Sequence, residues 1–196
     1  MRLLTFFFLA FSITPTLLAK PLGKIIRLSG EVYFDGKKVS DGFEISKPGK
    51  LETKADGEVK VTLETRKTTL LMKANSSVSI TAPTEQKNII FQLLNGFTRW
   101  IVQEKNSNEI AIETPSMVMG VRGTDFIAAY NPLLNESESI CFDGNVELRS
   151  NLDKTDKKMI HQGQWGGVGG RYGKRIGDII TLPQPILDTF RKMLAP

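Results

Sequence analysis

Cysteine and histidine are nearly missing from this chain of 196 residues: Cys141 and His161 are the single copies. One cysteine closes no intrachain disulfide, which excludes the disulfide-stapled class of exported domains. One cysteine with one histidine falls short of the roughly four ligands of a structural zinc site, and no Asp-x-Asp-x-Asp-Gly calcium loop occurs. No metal, cofactor or catalytic residue is therefore expected. His161, in Met159-Ile160-His161-Gln162-Gly163, has no nucleophile-elbow sequence beside it and reads as a polar residue on a late strand. A charge excess is missing too: 26 Lys and Arg face 21 Asp and Glu, interspersed nearly throughout. Nucleic acid, which calls for a concentrated basic face, is not an expected partner.

Long apolar runs are confined to the N-terminus. Arg2, the apolar stretch Leu3 to Ile13, the break at Pro15 and Leu17-Leu18-Ala19 follow one another as in an export signal. A dozen apolar residues is short of the about 20 that span a bilayer. Residues 1–19 are thus predicted to be a signal peptide cut after Ala19. No transmembrane anchor is expected after its removal, which takes away only the charge of Arg2 from a formal net +5. No cysteine follows the apolar run to carry a lipid.

What is present is β pattern. In Glu58-Val59-Lys60-Val61-Thr62-Leu63-Glu64 the aliphatics take one face and the polar side chains the other. Val78 and Ile80, Ile110 and Ile112, and Val146 and Leu148 repeat the alternation. Ile89 to Leu94 and Phe97 to Val102 are apolar on both faces and read as central strands. Asp35-Gly36, Asp41-Gly42, Asp56-Gly57, Asn95-Gly96 and Asp143-Gly144 punctuate these runs as tight turns. The fold class expected is all-β: many short strands in a sandwich, roll or β-helix-like stack. Cys141, within Ser139-Ile140-Cys141-Phe142, reads as a buried thiol. At the C-terminus Ile186, Leu187, Phe190, Met193 and Leu194 follow Pro185 at helical spacing. A short helix within 183–196 is predicted, packed on the chain's own sheet or docking a partner.

Two segments are candidates for a site. Gly120-Val121-Arg122-Gly123-Thr124-Asp125-Phe126 links two apolar strands, with two glycines flanking one arginine. Gly120, Gly123, Thr124 and Phe126 read as architectural. Arg122 either pairs with a buried carboxylate to pin the crossing, the reading preferred, or is presented to a partner. The second segment, Gly163 to Gly177, fails as a phosphate loop, because Arg175 stands where Ser or Thr belongs and Val168 where the first glycine belongs. It carries Trp165, Arg171, Tyr172, Lys174 and Arg175. Aromatics interleaved with cations can stack on sugars and pair with anions; alternatively the segment is a mobile connector with solvated charges.

The order of these pieces resembles the FecR domain of bacterial envelope proteins. The resemblance runs from Gly49 to Gly163. It rests on Pro48-Gly49-x-Leu51-x-Thr53, the Asp56-Gly57 to Leu63 strand, Ser77 to Ile80 and Leu94-Asn95-Gly96. Thr114-Pro115, Gly123-Thr124-Asp125-Phe126 and Gly144-Asn145-Val146 complete it. The family has a glycine-containing turn where this chain has Glu64-Thr65-Arg66-Lys67, so that loop is expected to be reshaped. In the regulators that name the family this domain is periplasmic, receives a signal from a TonB-dependent receptor and controls a sigma factor through a membrane helix and a cytoplasmic segment. Neither of the last two is recognisable here. The resemblance implies a stand-alone exported module: residues 1–19 the signal, 20–182 the β domain, 183–196 the helix. Its implied function is non-catalytic binding or signal sensing in the periplasm, with an envelope protein or a peptidoglycan or glycan ligand as partner. The alternatives are a regulator acting with a separate membrane anti-sigma protein, and an envelope hydrolase using His161.

Overall fold

The computed structural model describes residues 20–81, 89–103 and 110–195. The expected signal peptide lies outside them. The first strands are β1 (Gly23–Ser29), β2 (Val32–Phe34), β3 (Lys37–Lys38), β4 (Glu44–Ile45), β5 (Gly49–Thr53) and β6 (Glu58–Leu63). Next come β7 (Thr68–Met72), β8 (Ser77–Ile80), the long β9 (Ile89–Val102), β10 (Ile110–Glu113) and β11 (Met117–Val121). The last are β12 (Asp125–Asn131), β13 (Glu136–Asp143), β14 (Asn145–Ser150), β15 (Lys157–His161), β16 (Gln164–Val168) and β17 (Ile180–Thr181), followed by the helix α1 (Gln184–Met193).

The 17 strands form one mixed, open hydrogen-bonded network that divides into two rows. The first row runs β4-β1-β6-β7-β9-β12-β13-β16-β17. The second runs β3-β2-β5-β8-β9-β10-β11-β14-β15. Every pair is antiparallel except β9 with β10. β9 belongs to both rows: residues up to Asn95 pair with β8 and β10, and residues from Gly96 onward pair with β7 and β12. The chain passes repeatedly from one row to the other, so alternate side chains of each strand meet in a common interior.

Val59, Val61 and Leu63, Val78 and Ile80, Ile110 and Ile112, and Val146 and Leu148 all lie in that interior. Phe91 and Trp100 pack there at 5.1 Å between ring centroids, and Trp100 donates its indole N–H to Thr98 Oγ1 at 2.9 Å. Burying an aromatic of this size contributes a few kcal/mol, and its polar atom still needs a partner. Cys141 is fully buried, and burial pushes its thiol up to about 12. It is not a nucleophile at neutral pH.

Two local readings change. The apolar runs 89–94 and 97–102 are not separate strands but the two halves of β9, and Asn95-Gly96 between them is no hairpin turn. It is the bend at which β9 changes rows: Ser76 Oγ accepts from Phe97 N at 3.1 Å, and Asn95 Nδ2 donates to Asn75 O at 2.8 Å. A Cβ on Gly96 would run into Ser76 Oγ and lie 2.6 Å from Ser76 Cα, so the contact selects glycine. Of the other Asp-Gly pairs only Asp35-Gly36 closes a hairpin, β2 with β3. Asp56-Gly57 and Asp143-Gly144 carry the chain between rows, because β5 does not pair with β6, nor β13 with β14. At Glu64-Lys67 the loop closes β6 and β7 with Arg66 at φ 57° and Lys67 at φ 48°. Two residues with side chains occupy left-handed backbone there.

The helix α1 packs on the outward face of the first row. Leu187 and Leu194 are buried with Leu71, Ile127, Ile140 and Phe142, and Phe97, Ile101, Trp165 and Phe190 flank them. Docking on the chain's own sheet, rather than on a partner, stabilises a helix too short to persist alone.

Candidate functional site

Thr114-Pro115 and Gly123-Thr124-Asp125-Phe126 act as corners. Thr114 Oγ1 accepts from Met117 N at 2.8 Å and hydrogen-bonds Ser137 Oγ at 2.6 Å, and Ser116 Oγ also meets Ser137. All three hydroxyls are buried, so this polar cluster ties the β10–β11 corner of one row to β13 of the other. Gly120 lies on β11 opposite Ala111 and Glu147. Gly123, at φ 60°, turns the chain from β11 to β12, and Phe126 enters the core fully buried. Thr124 Oγ1 donates to Asn145 O at 3.1 Å, so the crossing at 122–124 rests against the crossing at 143–145. Gly123→Val should cost of order 1–3 kcal/mol, because a β-branched residue is strained at positive φ. Equal melting temperatures for variant and parent would remove the architectural reading.

The buried ion pair expected at this crossing forms, but with a different arginine. Arg122 is exposed and has no ion pair among the described residues. The carboxylate is Asp125 and its partner is Arg99 of β9: Nε to Oδ1 is 2.8 Å and Nη2 to Oδ2 2.7 Å. Arg99 Nη1 also donates to Leu194 O at 2.8 Å, and its guanidinium lies 5.2 Å from the Phe142 ring centroid. One side chain therefore joins the crossing, the sheet face and the end of α1. An arginine inside the apolar run Phe97 to Val102 was the sequence signal for it, since a charge buried there must be paired.

The glycine-rich segment is strand and tight turn, not connector. Gly166 and Gly167 lie within β16, opposite Ser139 and Glu138 of β13. A Cβ on Gly166 would lie 2.7 Å from Leu148 Cδ1. The turn Gly170–Tyr172 then brings three of the five candidate residues together. The Trp165 and Tyr172 rings stand 5.3 Å apart, and the Arg171 guanidinium lies 4.8 Å from the Tyr172 ring centroid. Arg171 Nε donates to Tyr172 Oη at 2.6 Å, and Arg171 Nη2 and Tyr172 Oη both donate to Glu138 Oε1 at 3.1 Å. Burial raises the Tyr172 phenol above its ordinary value. Lys174 and Arg175 stand outside this cluster: the Lys174 backbone carbonyl accepts from Ser150 Oγ, and the Arg175 side chain reaches Asp153 at 3.7 Å.

Trp165, Arg171 and Tyr172 line a groove of about 500 Å³ whose apolar wall is completed by Phe97, Ile180 and Phe190. It continues past Glu138 into a polar trough of about 430 Å³ bounded by Asn75, Asn95, Asn131 and Glu136. The β12–β13 hairpin follows Asn131 and raises Leu133, 93% exposed, and Leu134 into solvent. Leu133-Leu134 went unremarked in the sequence, where a two-residue apolar pair beside Pro132 carries no period. His161 is exposed and its Nδ1 meets Asn145 Oδ1 at 2.6 Å, so an amide and not a carboxylate orients it. Among the described residues no helix is long and apolar enough to cross a membrane.

Comparison with known proteins agrees with this architecture. Two crystal structures of a candidate anti-sigma factor from Parabacteroides distasonis superimpose with TM-scores of 0.62 and 0.61 at 11% identity. Each alignment covers 72% of this chain and 63% of that one, so the chain spans less than two thirds of the length of these proteins. At this identity the likeness is one of fold. No curated protein matches the chain. The sequence model of the family described as FecR protein matches residues 49–147, about half of the chain, from the first residue of β5 to Glu147 in β14. That stretch holds the Thr114 corner, the Gly123 crossing and the bent β9, and the chain belongs to the FecR family.

Proposed function

We propose that this protein is a non-catalytic binding module of the bacterial cell envelope that takes part in signalling by holding a protein partner. The observation that carries the reading is the groove beside α1. It leaves Ile180 exposed and Tyr172 and Phe190 half-buried on a sheet face that α1 covers in part, and the trough beyond it is bounded by Asn131 and Glu136, the residues on either side of the loop that carries the exposed Leu133-Leu134 tip. Apolar surface rimmed by polar groups is the usual character of a protein-binding patch. Three asparagines line the far end together with Glu136 and Glu138, whose carboxylates are already paired with Arg171. The occupant that fits is a peptide segment with apolar anchors followed by amide side chains. Membership in the FecR family and the fold shared with a candidate anti-sigma factor support a regulatory role. Periplasmic location is part of the proposal and rests on residues 1–19.

The test is site-specific photocrosslinking in intact cells, with the reactive side chain at Ile180 and, as control, at Lys37 on β3. A protein adduct formed from Ile180, not from Lys37, and lost when Leu133 and Leu134 become Asp, is the expected result. An adduct that is a TonB-dependent receptor or a membrane anti-sigma protein makes the module a regulator in that pathway. Equal labelling from both positions would count against the groove. A glycan is the second reading, favoured by the adjacent Trp165 and Tyr172 rings; co-sedimentation with peptidoglycan, abolished by Trp165→Ala, would replace the protein partner with it.

A further inference from the structure

A second cleft lies on the same sheet face, at the other end of α1. It holds about 290 Å³ and is lined by Arg27, Lys60, Lys73 and Lys192, with Glu58 as its one carboxylate. Glu58 is already paired with Lys73. Arg27, Lys60 and Lys192 have no carboxylate partner among the described residues, although Lys24, Lys38, Lys47 and Lys50 all have one.

The register makes the arrangement more costly still. A bulge in β1 between Ile25 and Arg27 brings Arg27 directly opposite Lys60 of β6. Like charges placed opposite each other on an antiparallel pair destabilise it. Lys60 is half-buried while Arg27 and Lys192 are exposed, so water screens part of this repulsion. The α1 wall adds Lys192, and its last carbonyls are occupied: Lys192 O accepts from Ala195 N, and Leu194 O from Arg99. Among the described residues Glu58 is the one carboxylate that lines the cleft, and its ion pair is with Lys73.

We infer that this cleft binds a phosphate monoester. Such a group carries about −1.5 to −2 charge at neutral pH with three strong acceptor oxygens, which matches three unpaired cations better than a carboxylate does. The guanidinium of Arg27 offers a fork for two of those oxygens. The volume sits at the small end of ligand pockets, roughly 300–1,000 Å³, and so fits a headgroup or a single phosphosugar rather than a long chain. Because Lys192 lies on α1 and the other cations on the sheet, the ligand bridges the two.

Glucose 6-phosphate titrated by calorimetry supplies the soluble phosphate, and flotation with vesicles of phosphatidic acid in phosphatidylcholine supplies the lipid-borne one. The expected result is saturable binding to at least one, weakened about tenfold or more in Arg27→Gln/Lys60→Gln, since each hydrogen bond to a charged group contributes at least that factor. The double variant should melt no lower than the parent, because it relieves a repulsion, so lost binding is not lost folding. Lys37→Gln, an exposed cation outside the cleft, should bind as the parent does. Binding to vesicles alone assigns the phosphate to a lipid. The inference is overturned by no binding to either probe, by equal loss in Lys37→Gln, by unchanged binding in the double variant, or by glucuronate binding as tightly as glucose 6-phosphate.

Discussion

Asp125→Ala should lower stability by about 3 kcal/mol, the lower end of what breaking a buried ion pair costs. The Asp125 carboxylate takes two hydrogen bonds from Arg99, whose side chain is 9% exposed against 21% for Asp125. Removing the carboxylate leaves a guanidinium under α1 with only Leu194 O and the Phe142 ring for company. The penalty is mostly this stranded charge and not the lost attraction. It follows that Arg99→Met/Asp125→Ala should be more stable than Asp125→Ala alone, since Met fills the stem's space without a charge. Urea denaturation of the parent, both single variants and the double closes the cycle. A single-variant loss under about 1 kcal/mol, or a double variant worse than both singles, would contradict the account. The pair also gives the family motif a physical role: Gly123 and Thr124 turn the chain so that Asp125 arrives opposite Ile101, two residues along β9 from Arg99 and so on the same face of the sheet.

Much of the fold was legible in the residues because a half-buried strand writes its burial as an alternation. Val59, Val61 and Leu63 read inward and lie inward. The C-terminal stripe read as a helix, and Leu187 and Leu194 are its buried contacts. Asn95-Gly96 misled because its chemistry is that of a tight turn, and only the approach of Ser76, twenty residues earlier in the chain, shows the glycine making room for a neighbour. Two rows sharing one strand could not be read locally, since the parallel pairing of β9 with β10 is a long-range register. At the candidate site the aromatic and basic residues stood out by composition. Their separation into Trp165, Arg171 and Tyr172 at the groove and Lys174 and Arg175 beside Asp153 depends on how the turn after β16 closes. The cleft of Arg27, Lys60, Lys73 and Lys192 left no trace in sequence, because the four cations come from β1, β6, the end of β7 and α1.

Gly169→Ala should be the most damaging single change in the glycine-rich segment. Gly169 has φ 85° and ψ −178°, a region open in practice to glycine alone. A Cβ there would fall on the backbone oxygen of Asn135 and lie 3.0 Å from its carbonyl carbon. That oxygen belongs to the loop that leads into β13 and cannot turn aside as a side chain would. Gly169 also fixes the following turn, donating to Gly173 O at 2.9 Å and accepting from Tyr172 N at 2.8 Å. The turn in turn sets Arg171 and Tyr172 against Glu138. Gly173 is the internal control: its φ of 68° and ψ of −151° are comparably strained, yet a Cβ would meet nothing within 4 Å. Gly173→Ala should therefore cost about 1–3 kcal/mol from backbone strain, and Gly169→Ala about 2 kcal/mol more from overpacking against the main chain. Gly169→Ala should also reduce the crosslink from Ile180 in the protein that remains folded, because the groove loses its Tyr172 wall. Urea midpoints for both variants decide the energetic half. Equal losses would mean that strain alone accounts for the glycines, and that the Asn135 carbonyl yields where the packing says it is held.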